Sequence, residues 1–137
     1  MIINDECDMM QDDSKWKELD KHDRVRTFDT GANRDTAEGK LDYEGFLSPK
    51  VLKQYAQYMH TNRHLNNGDV RDSDNWQKGF GEEHFAVCIK SMLRHVMDVW
   101  LIHRGNGARS NMEDALCGVI FNAMAYLNKT LKDDQEK

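Results

Sequence analysis

The sequence predicts an all-α fold, a helical bundle preceded by long polar loops. Two late segments, residues 82–104 and 112–131, place apolar side chains at helical spacing. A third predicted helix begins at Ser48-Pro49, where serine is a favoured N-cap and proline suits the first helical position. The 137-residue chain contains one proline and eight methionines, a composition that suits long helices.

The composition bounds the class of protein. A chain of 137 residues is long enough for one domain with a modest core. Its formal net charge of −5 argues against binding nucleic acid or an anionic membrane through net charge. No segment has the apolar length of a membrane span or of a signal peptide, and Cys7, Cys88 and Cys117 form no CxxC pair. We therefore expect no nucleic-acid or membrane partner, and a cytoplasmic location with reduced thiols.

The N-terminal third is predicted to be polar and irregular. Residues 1–26 are an acidic extension with at most one short helix, over residues 14–26. Residues 27–46 are rich in Gly, Asp, Asn and Thr, which predicts a loop. Loops of this length usually have a function, and Arg34 and Lys40 stand among glycines that let a backbone approach an anion. An ordinary surface loop is the alternative.

The next segment is a helix followed by a second polar loop. Apolar spacing predicts a helix over residues 49–63, closed by a turn at residues 66–69. In the loop at residues 71–81, Trp76 stands among polar neighbours. Trp76 either covers a core edge or stacks on a planar ligand whose polar edges Asn75 contacts.

The predicted central helix, residues 82–104, has a wide apolar arc that requires more than one packing neighbour. Its polar stripe carries Lys90, Arg94, His95 and Asp98 at helical spacing, so these side chains can converge. Two cations, an imidazole and a carboxylate can bind a metal-complexed phosphate. An Arg–Asp ion pair on a solvated surface is the alternative.

The last helix is predicted over residues 112–131, capped by Ser110 or Asn111 and followed by a solvated tail at residues 132–137. It is apolar nearly all round, which predicts burial. Gly118 allows another helix or a ligand to come close. Asn122 lies within this apolar helix and needs hydrogen-bonding partners.

Three carboxylates fall on the two late helices, Asp98 on the first and Glu113 and Asp114 on the second. A short connection makes the two helices antiparallel neighbours, which brings Asp98 and Asp114 towards each other. Carboxylates from facing helices suit Mg²⁺ or Mn²⁺. Capping of the helix dipole by Glu113 and Asp114 is the alternative.

Four sequence motifs occur in a fixed order along the chain, and together they resemble a known family. The run TGANRDTAEGKLDYEGFLSP is followed by DSDNWQKG, SMLRHVMDVWLIHRG and EDALCGVIFNAMAYL. This set resembles the phage-encoded dATP/dGTP diphosphohydrolase family, a branch of the MazG-like all-α nucleotide pyrophosphohydrolases. The resemblance covers residues 29–131, so residues 27–131 are assigned to the domain, with residues 1–26 and 132–137 outside it.

The resemblance implies a MazG-like helical bundle that uses divalent metal ions to hydrolyse dGTP, dATP or both to a monophosphate and pyrophosphate. The family's ExxE and ExxD pattern does not appear cleanly, and the central helix offers HxxD at His95 and Asp98 instead. The residues that match the motifs are Gly31, Arg34, Asp35, Gly39, Lys40, Tyr43, Glu44, Asn75, Trp76, Gly79, Arg94, His95, Asp114 and Asn122.

The resulting hypothesis is a Mg²⁺- or Mn²⁺-dependent nucleotide pyrophosphohydrolase. The expected metal ligands are Asp98, Glu113 and Asp114, and the expected catalytic set is Glu83, His95 and Asp98. Within that set Glu83 is a candidate general base for a metal-activated water. The expected substrate contacts are Arg34, Lys40, Lys90 and Arg94 on phosphates, Asn75 and Trp76 on a purine base, and Asn122.

A protein of a different class is the alternative. It would bind or sequester a nucleotide, or inhibit a host factor, without turnover, and the missing ExxE and ExxD pattern favours it. The small chain and apolar last helix predict a homo-oligomer, a dimer or a tetramer. A phage-encoded chain would act in the host cytoplasm, and the choice between dGTP and dATP is left open.

Overall fold

A computed structural model describes residues 25–136. They contain four α-helices, a two-stranded sheet and a 3₁₀ helix, so this part of the chain is mainly helical, as predicted. The chain divides into two compact units at the junction of Phe46 and Leu47. Within residues 25–136 no helix is long and apolar enough to cross a membrane. The predictions for residues 1–24 lie outside the described residues.

The first unit contains a hairpin where the sequence predicted an irregular loop. Strand β1 (Val25–Thr27) pairs antiparallel with β2 (Asn33–Asp35). The turn between them places Gly31 at φ +88°, a conformation that glycine adopts at no steric cost. The Phe28 amide closes it by donating to the Ala32 carbonyl at 2.8 Å. The predicted short helix over residues 14–26 therefore does not extend to residues 25 and 26, which are strand.

One helical turn ends the first unit. Helix α1 (Tyr43–Phe46) follows Asp42, whose Oδ1 accepts a hydrogen bond from the Gly45 amide at 2.9 Å. The predicted loop over residues 27–46 thus holds two short elements that composition alone did not reveal.

The second unit begins with the predicted Ser-Pro start. Helix α2 (Pro49–Thr61) has Ser48 as its N-cap, and Ser48 Oγ accepts from the Val51 amide at 3.3 Å. A 3₁₀ helix (Asn75–Lys78) lies in the second polar loop.

Both long helices begin close to the predicted residues, and α3 also ends close to its predicted end. Helix α3 (His84–His103) is followed by Gly105 at φ +80°, whose amide donates to the Ile102 carbonyl at 3.0 Å. Helix α4 (Met112–Gln135) is capped by Asn111, whose Oδ1 accepts from the Asp114 amide at 2.8 Å. Helix α4 continues past the predicted end at residue 131, so part of the predicted tail is helical.

Helices α3 and α4 form the main packing contact of the second unit, and α2 and the 3₁₀ helix also pack on α4. Successive contacts pair His84 with Ala125 and Asp98 with Arg109, so the two long helices run antiparallel. The buried apolar residues of the described chain are small: Cys88, Ala115, Cys117 and Ala125.

Two predictions about burial were wrong for the described residues. The wide apolar arc of α3 is not fully covered, and α4 is not buried all round, because each helix has its main helical neighbour on one side. The exposed large apolar residues on these helices are Val87, Ile89, Leu93, Val96, Met97, Trp100, Leu116, Met124, Leu127 and Leu131.

Candidate functional site

A cavity of about 760 Å³ opens in the second unit. Its volume falls in the range of small-molecule sites, which extends from about 300 to 1,000 Å³. Side chains from α2, the loops after it, α3 and α4 form the walls. The lining residues are Tyr55, Ala56, Tyr58, Met59, His60, Asn62, Arg63, Arg71, Asp72, Ser73, Asn75, Trp76, Phe80, Ser91, His95, Phe121, Asn122 and Met124.

Four of the residues predicted from the sequence lie together in this wall. Asn75 and Trp76 come from the 3₁₀ helix, His95 from α3 and Asn122 from α4. Asn122 is only 2% exposed, and its Nδ2 donates to the Gly118 carbonyl at 2.8 Å. This hydrogen bond satisfies one donor of the buried side chain. The side-chain amide oxygen of Asn122 can still accept a hydrogen bond.

His95 packs directly on the backbone of Gly118. A Cβ atom at position 118 would lie 2.6 Å from both Cγ and Cε1 of the imidazole, a distance that real Cβ contacts do not show. His95 Nδ1 is buried and has no hydrogen-bond partner within residues 25–136. Burial, and then the positive charge of Arg109, lower the pKa of His95 below 6.5, although Asp98 opposes this shift. The ring is therefore mainly neutral at pH 7.

His84 fixes one wall of the cavity. It is 3% exposed, its Nδ1 accepts from the Phe80 amide at 3.1 Å, and its Nε2 lies 3.0 Å from the Ala125 carbonyl. An amide that donates to Nδ1 leaves the ring proton on Nε2, which then donates to the carbonyl. The Phe80 ring, which lines the cavity, stacks on His84 with centroids 5.0 Å apart. His84 is a structural residue that was not among those predicted from the sequence.

Two tyrosines of α2, Tyr55 and Tyr58, line the cavity. Burial raises the pKa of both Tyr55 and Tyr58 above 10.0. For Tyr58, the negative charge of Asp114 adds to the effect of burial. Asp114 therefore acts electrostatically on a residue of the cavity wall.

A small hairpin after α2 brings two arginines to the cavity. Residues His64 and Val70 form an isolated antiparallel bridge, and Arg71 donates its amide to the Arg63 carbonyl at 2.9 Å. Arg63 and Arg71 both line the cavity and were not among the predicted residues. A signal was present, because the Asn-Asn-Gly-Asp turn at residues 66–69 predicts a hairpin whose flanking residues face each other.

Asp98 has a different partner from the one considered in the sequence. It is 4% exposed, and Arg109 binds both of its carboxylate oxygens, with Nη2 2.6 Å and Nε 3.0 Å from Oδ2 and Nε 3.2 Å from Oδ1. The hydrogen bonds from Arg109 hold the pKa of Asp98 below its ordinary value of 3.8. Lys90 and Arg94 are exposed on α3 and do not line the cavity. The Asp98 carboxylate is thus bound by Arg109 of the loop before α4, while the charges of Asp98 and Arg94 both act on His95.

The other predicted residues do not line the cavity. Glu113 is exposed and Asp114 partly buried in the first turn of α4, and Glu83 is exposed before α3 and does not line the cavity. Across residues 25–136, no group of three or more His, Cys, Asp or Glu residues is arranged to hold a metal ion. Arg34, in β2, and Lys40 are exposed residues of the first unit.

Comparisons with known proteins gave no relative. No protein-family model, no curated protein and no solved structure matches this chain.

Proposed function

We propose that the chain is a MazG-like enzyme that hydrolyses a purine deoxynucleoside triphosphate, dGTP or dATP, to its monophosphate and pyrophosphate, in a phage-infected host cytoplasm. The supporting observation is the cavity in the second unit, which gathers Asn75, Trp76, His95 and Asn122 from three separate stretches of the chain. The sequence motifs contain all four residues and carry no information about their distances in space, so their meeting in one cavity is independent support. The cavity volume also suits a nucleotide.

The base is proposed to lie against Trp76. An indole offers a large flat surface for a purine ring, and Asn75 beside it offers both a donor and an acceptor to the base edge. Phe80 and Phe121, with ring centroids 6.3 Å apart, extend the aromatic lining. This chemistry selects a planar heterocycle and does not rank guanine against adenine.

His95 is the proposed general base. A neutral imidazole in the cavity wall can accept a proton, and its lowered pKa keeps it neutral at pH 7. In the proposed reaction, water attacks the α-phosphorus and its proton passes to His95 Nε2. The other ring nitrogen, Nδ1, faces Gly118. The bond from the α-phosphorus to the α,β-bridging oxygen breaks, and pyrophosphate leaves. Glu83, which does not line the cavity, is a weaker candidate for this role.

The three predicted carboxylates do not fit a metal centre held by the protein alone. Asp98 is bound by Arg109, and no three-residue group is found in the described chain. Mg²⁺ often binds through one or two carboxylates together with substrate phosphates. We therefore propose that Mg²⁺ or Mn²⁺ arrives with the triphosphate. The proposed protein contact is Asp114, which is outside the cavity lining but acts electrostatically on Tyr58 of the wall. The ion would neutralise phosphate charge.

A nucleotide-binding protein without turnover is the second candidate. The absence of a three-ligand metal group within residues 25–136 favours it. The cavity would then hold a nucleotide by its aromatic and polar walls, and no bond would be broken.

Product analysis decides between the two candidates. The purified full chain is incubated with each dNTP and NTP plus Mg²⁺ or Mn²⁺, and the products are separated by chromatography. Monophosphate and pyrophosphate from a purine deoxynucleotide are expected, with turnover lost in His95→Gln and retained in Glu83→Gln. Diphosphate or nucleoside as the product would reject the mechanism. A thermal shift with one nucleotide, but no turnover with either metal, would support the second candidate.

A further inference from the structure

We infer that Arg63 and Arg71 form a polyphosphate-binding subsite at the hairpin wall of the cavity. The inference deepens the proposed function, on which it rests for the identity of the nucleotide. It assigns the phosphate end of the ligand to the hairpin after α2 rather than to the polar stripe of α3.

The first support is the position of the two arginines in the hairpin. The His64–Val70 bridge places Arg63 opposite Arg71, the next pair along, and the amide of Arg71 bonds to the carbonyl of Arg63. Like charges directly opposite each other on paired strands are destabilising. An anion bound between them would offset that cost, so the pair is suited to holding an anionic ligand.

The second support is the way the two side chains are held. Arg63 Nε donates to the Arg71 carbonyl at 2.7 Å, and Arg71 Nη1 donates to the Asn62 carbonyl at 3.1 Å. Each guanidinium is thus oriented by one bond to the backbone of the opposite arm. Because a guanidinium has five N–H donors, several remain on each for phosphate oxygens, which arginine binds in bidentate fashion.

The third support is the charge of the wall. The ion pairs found among residues 25–136 are Asp98 with Arg109 and Lys129 with Asp133, so neither arginine has a carboxylate at salt-bridge distance there. The cavity lining includes these two arginines and one acidic residue, Asp72. Excess positive charge beside an aromatic wall matches a ligand with an anionic end and a planar end.

The test uses inorganic tripolyphosphate, which carries the anionic end alone. Its binding to the full chain is measured by calorimetry without divalent metal, for the wild type, Arg63→Gln and Arg71→Gln. Each substitution is expected to weaken binding about 10- to 100-fold, since it removes charge-assisted hydrogen bonds. Lys53→Gln, which removes one exposed charge of α2 outside the cavity, is expected to leave binding unchanged.

Conservative variants distinguish a loss of phosphate binding from a loss caused by misfolding. Arg63→Lys and Arg71→Lys keep the charge but lose the bidentate geometry, so we expect intermediate affinity in variants whose thermal unfolding matches the wild type. Tripolyphosphate binding that is absent in the wild type, or equal in the wild type and both glutamine variants, would overturn the inference.

The experiments can reject the proposed subsite and the proposed enzyme activity independently of each other. Turnover of dGTP or dATP by the wild type, with tripolyphosphate affinity unchanged in the arginine variants, would reject the subsite and keep the enzyme. Tripolyphosphate binding lost in the arginine variants, with no nucleotide hydrolysed, would keep the subsite and reject the enzyme.

Discussion

At the scale of single residues, the position of His95 depends on what faces it. The imidazole lies against Gly118 of α4, where a Cβ atom would overlap the ring. The same glycine offers its carbonyl to Asn122 Nδ2. Gly118 therefore contacts two side chains of the cavity wall, one through its missing Cβ and one through its backbone carbonyl. The lack of a side chain at Gly118 predicts a close neighbour, and that neighbour is His95.

Gly118→Ala tests this dependence. The added methyl group forces the His95 ring to move, and overpacking of this kind costs about 1–3 kcal/mol of the free energy of unfolding. We expect a lower urea midpoint and loss of nucleotide binding or turnover. Gly107→Ala is the matched control, because that glycine has open space around its Cα and no left-handed φ. Equal behaviour of the two variants would contradict the role of Gly118.

Asp114→Asn tests the carboxylate proposed to contact the metal. The amide keeps the size of the side chain but removes the charge that acts on Tyr58. We expect turnover to fall by at least about 100-fold, a loss comparable to that of other directly acting groups, with the fold retained by circular dichroism. Glu113→Gln, at an exposed neighbouring position, should keep most of the activity. Full activity in Asp114→Asn would exclude it from the site.

At the scale of elements, helix ends were predictable and partners at long range were not. Ser48, Gly105 and Asn111 act at the helix ends where local sequence signals placed them, because capping depends on neighbours within a few residues. The partner of Asp98 was missed, because Arg109 lies in a loop whose path depends on how α3 and α4 pack.

The cavity residues also divide into those that the local sequence indicated and those that it missed. The local sequence drew attention to Trp76 and Asn75, because the tryptophan stands among polar neighbours in a loop. Arg63 and Arg71 were missed because residues 66–69 were interpreted as a turn that only closes α2. Pairing the flanking residues across that turn places both arginines together from the sequence alone.

The Asp98–Arg109 pair makes the connection between α3 and α4 sensitive to acid. The pKa of Asp98 is lower in the folded chain than its ordinary value of 3.8, so the unfolded chain takes up the proton first. The pair's contribution to stability is therefore fully present above about pH 4 and is lost as the pH falls through the lowered pKa.

Arg109→Met removes the cation and keeps the apolar part of the side chain. We expect it to lower the free energy of unfolding at pH 7, and we expect the difference from the wild type to shrink below pH 4. Urea unfolding between pH 2 and pH 7 measures both effects. Lys129→Met, which breaks the more exposed pair with Asp133 on α4, should cost less. A difference that stays constant from pH 7 to pH 2 would contradict the assignment.

At the scale of the whole molecule, the second unit has little core and much exposed apolar surface. Its buried apolar residues are Cys88, Ala115, Cys117 and Ala125, whereas Leu93 is 60% exposed. Large exposed apolar patches usually mark an interaction surface. On α3 the exposed residues Ile89, Leu93, Val96 and Trp100 follow at intervals of four, three and four, the spacing of helices that pack side by side.

This spacing supports a homo-oligomer in which α3 packs on α3 of a second copy, which would complete the apolar arc that the described chain leaves uncovered. We expect sedimentation equilibrium to give a dimer or a tetramer. Leu93→Glu and Trp100→Glu place a charge in the contact, so each is expected to shift the mass towards the monomer, because an unpaired charge is costly to bury. Val51→Glu is the matched control, since Val51 is 52% exposed and lies on α2. A monomeric wild type would exclude the oligomer, and an oligomer unaffected by Leu93→Glu and Trp100→Glu would place the contact elsewhere.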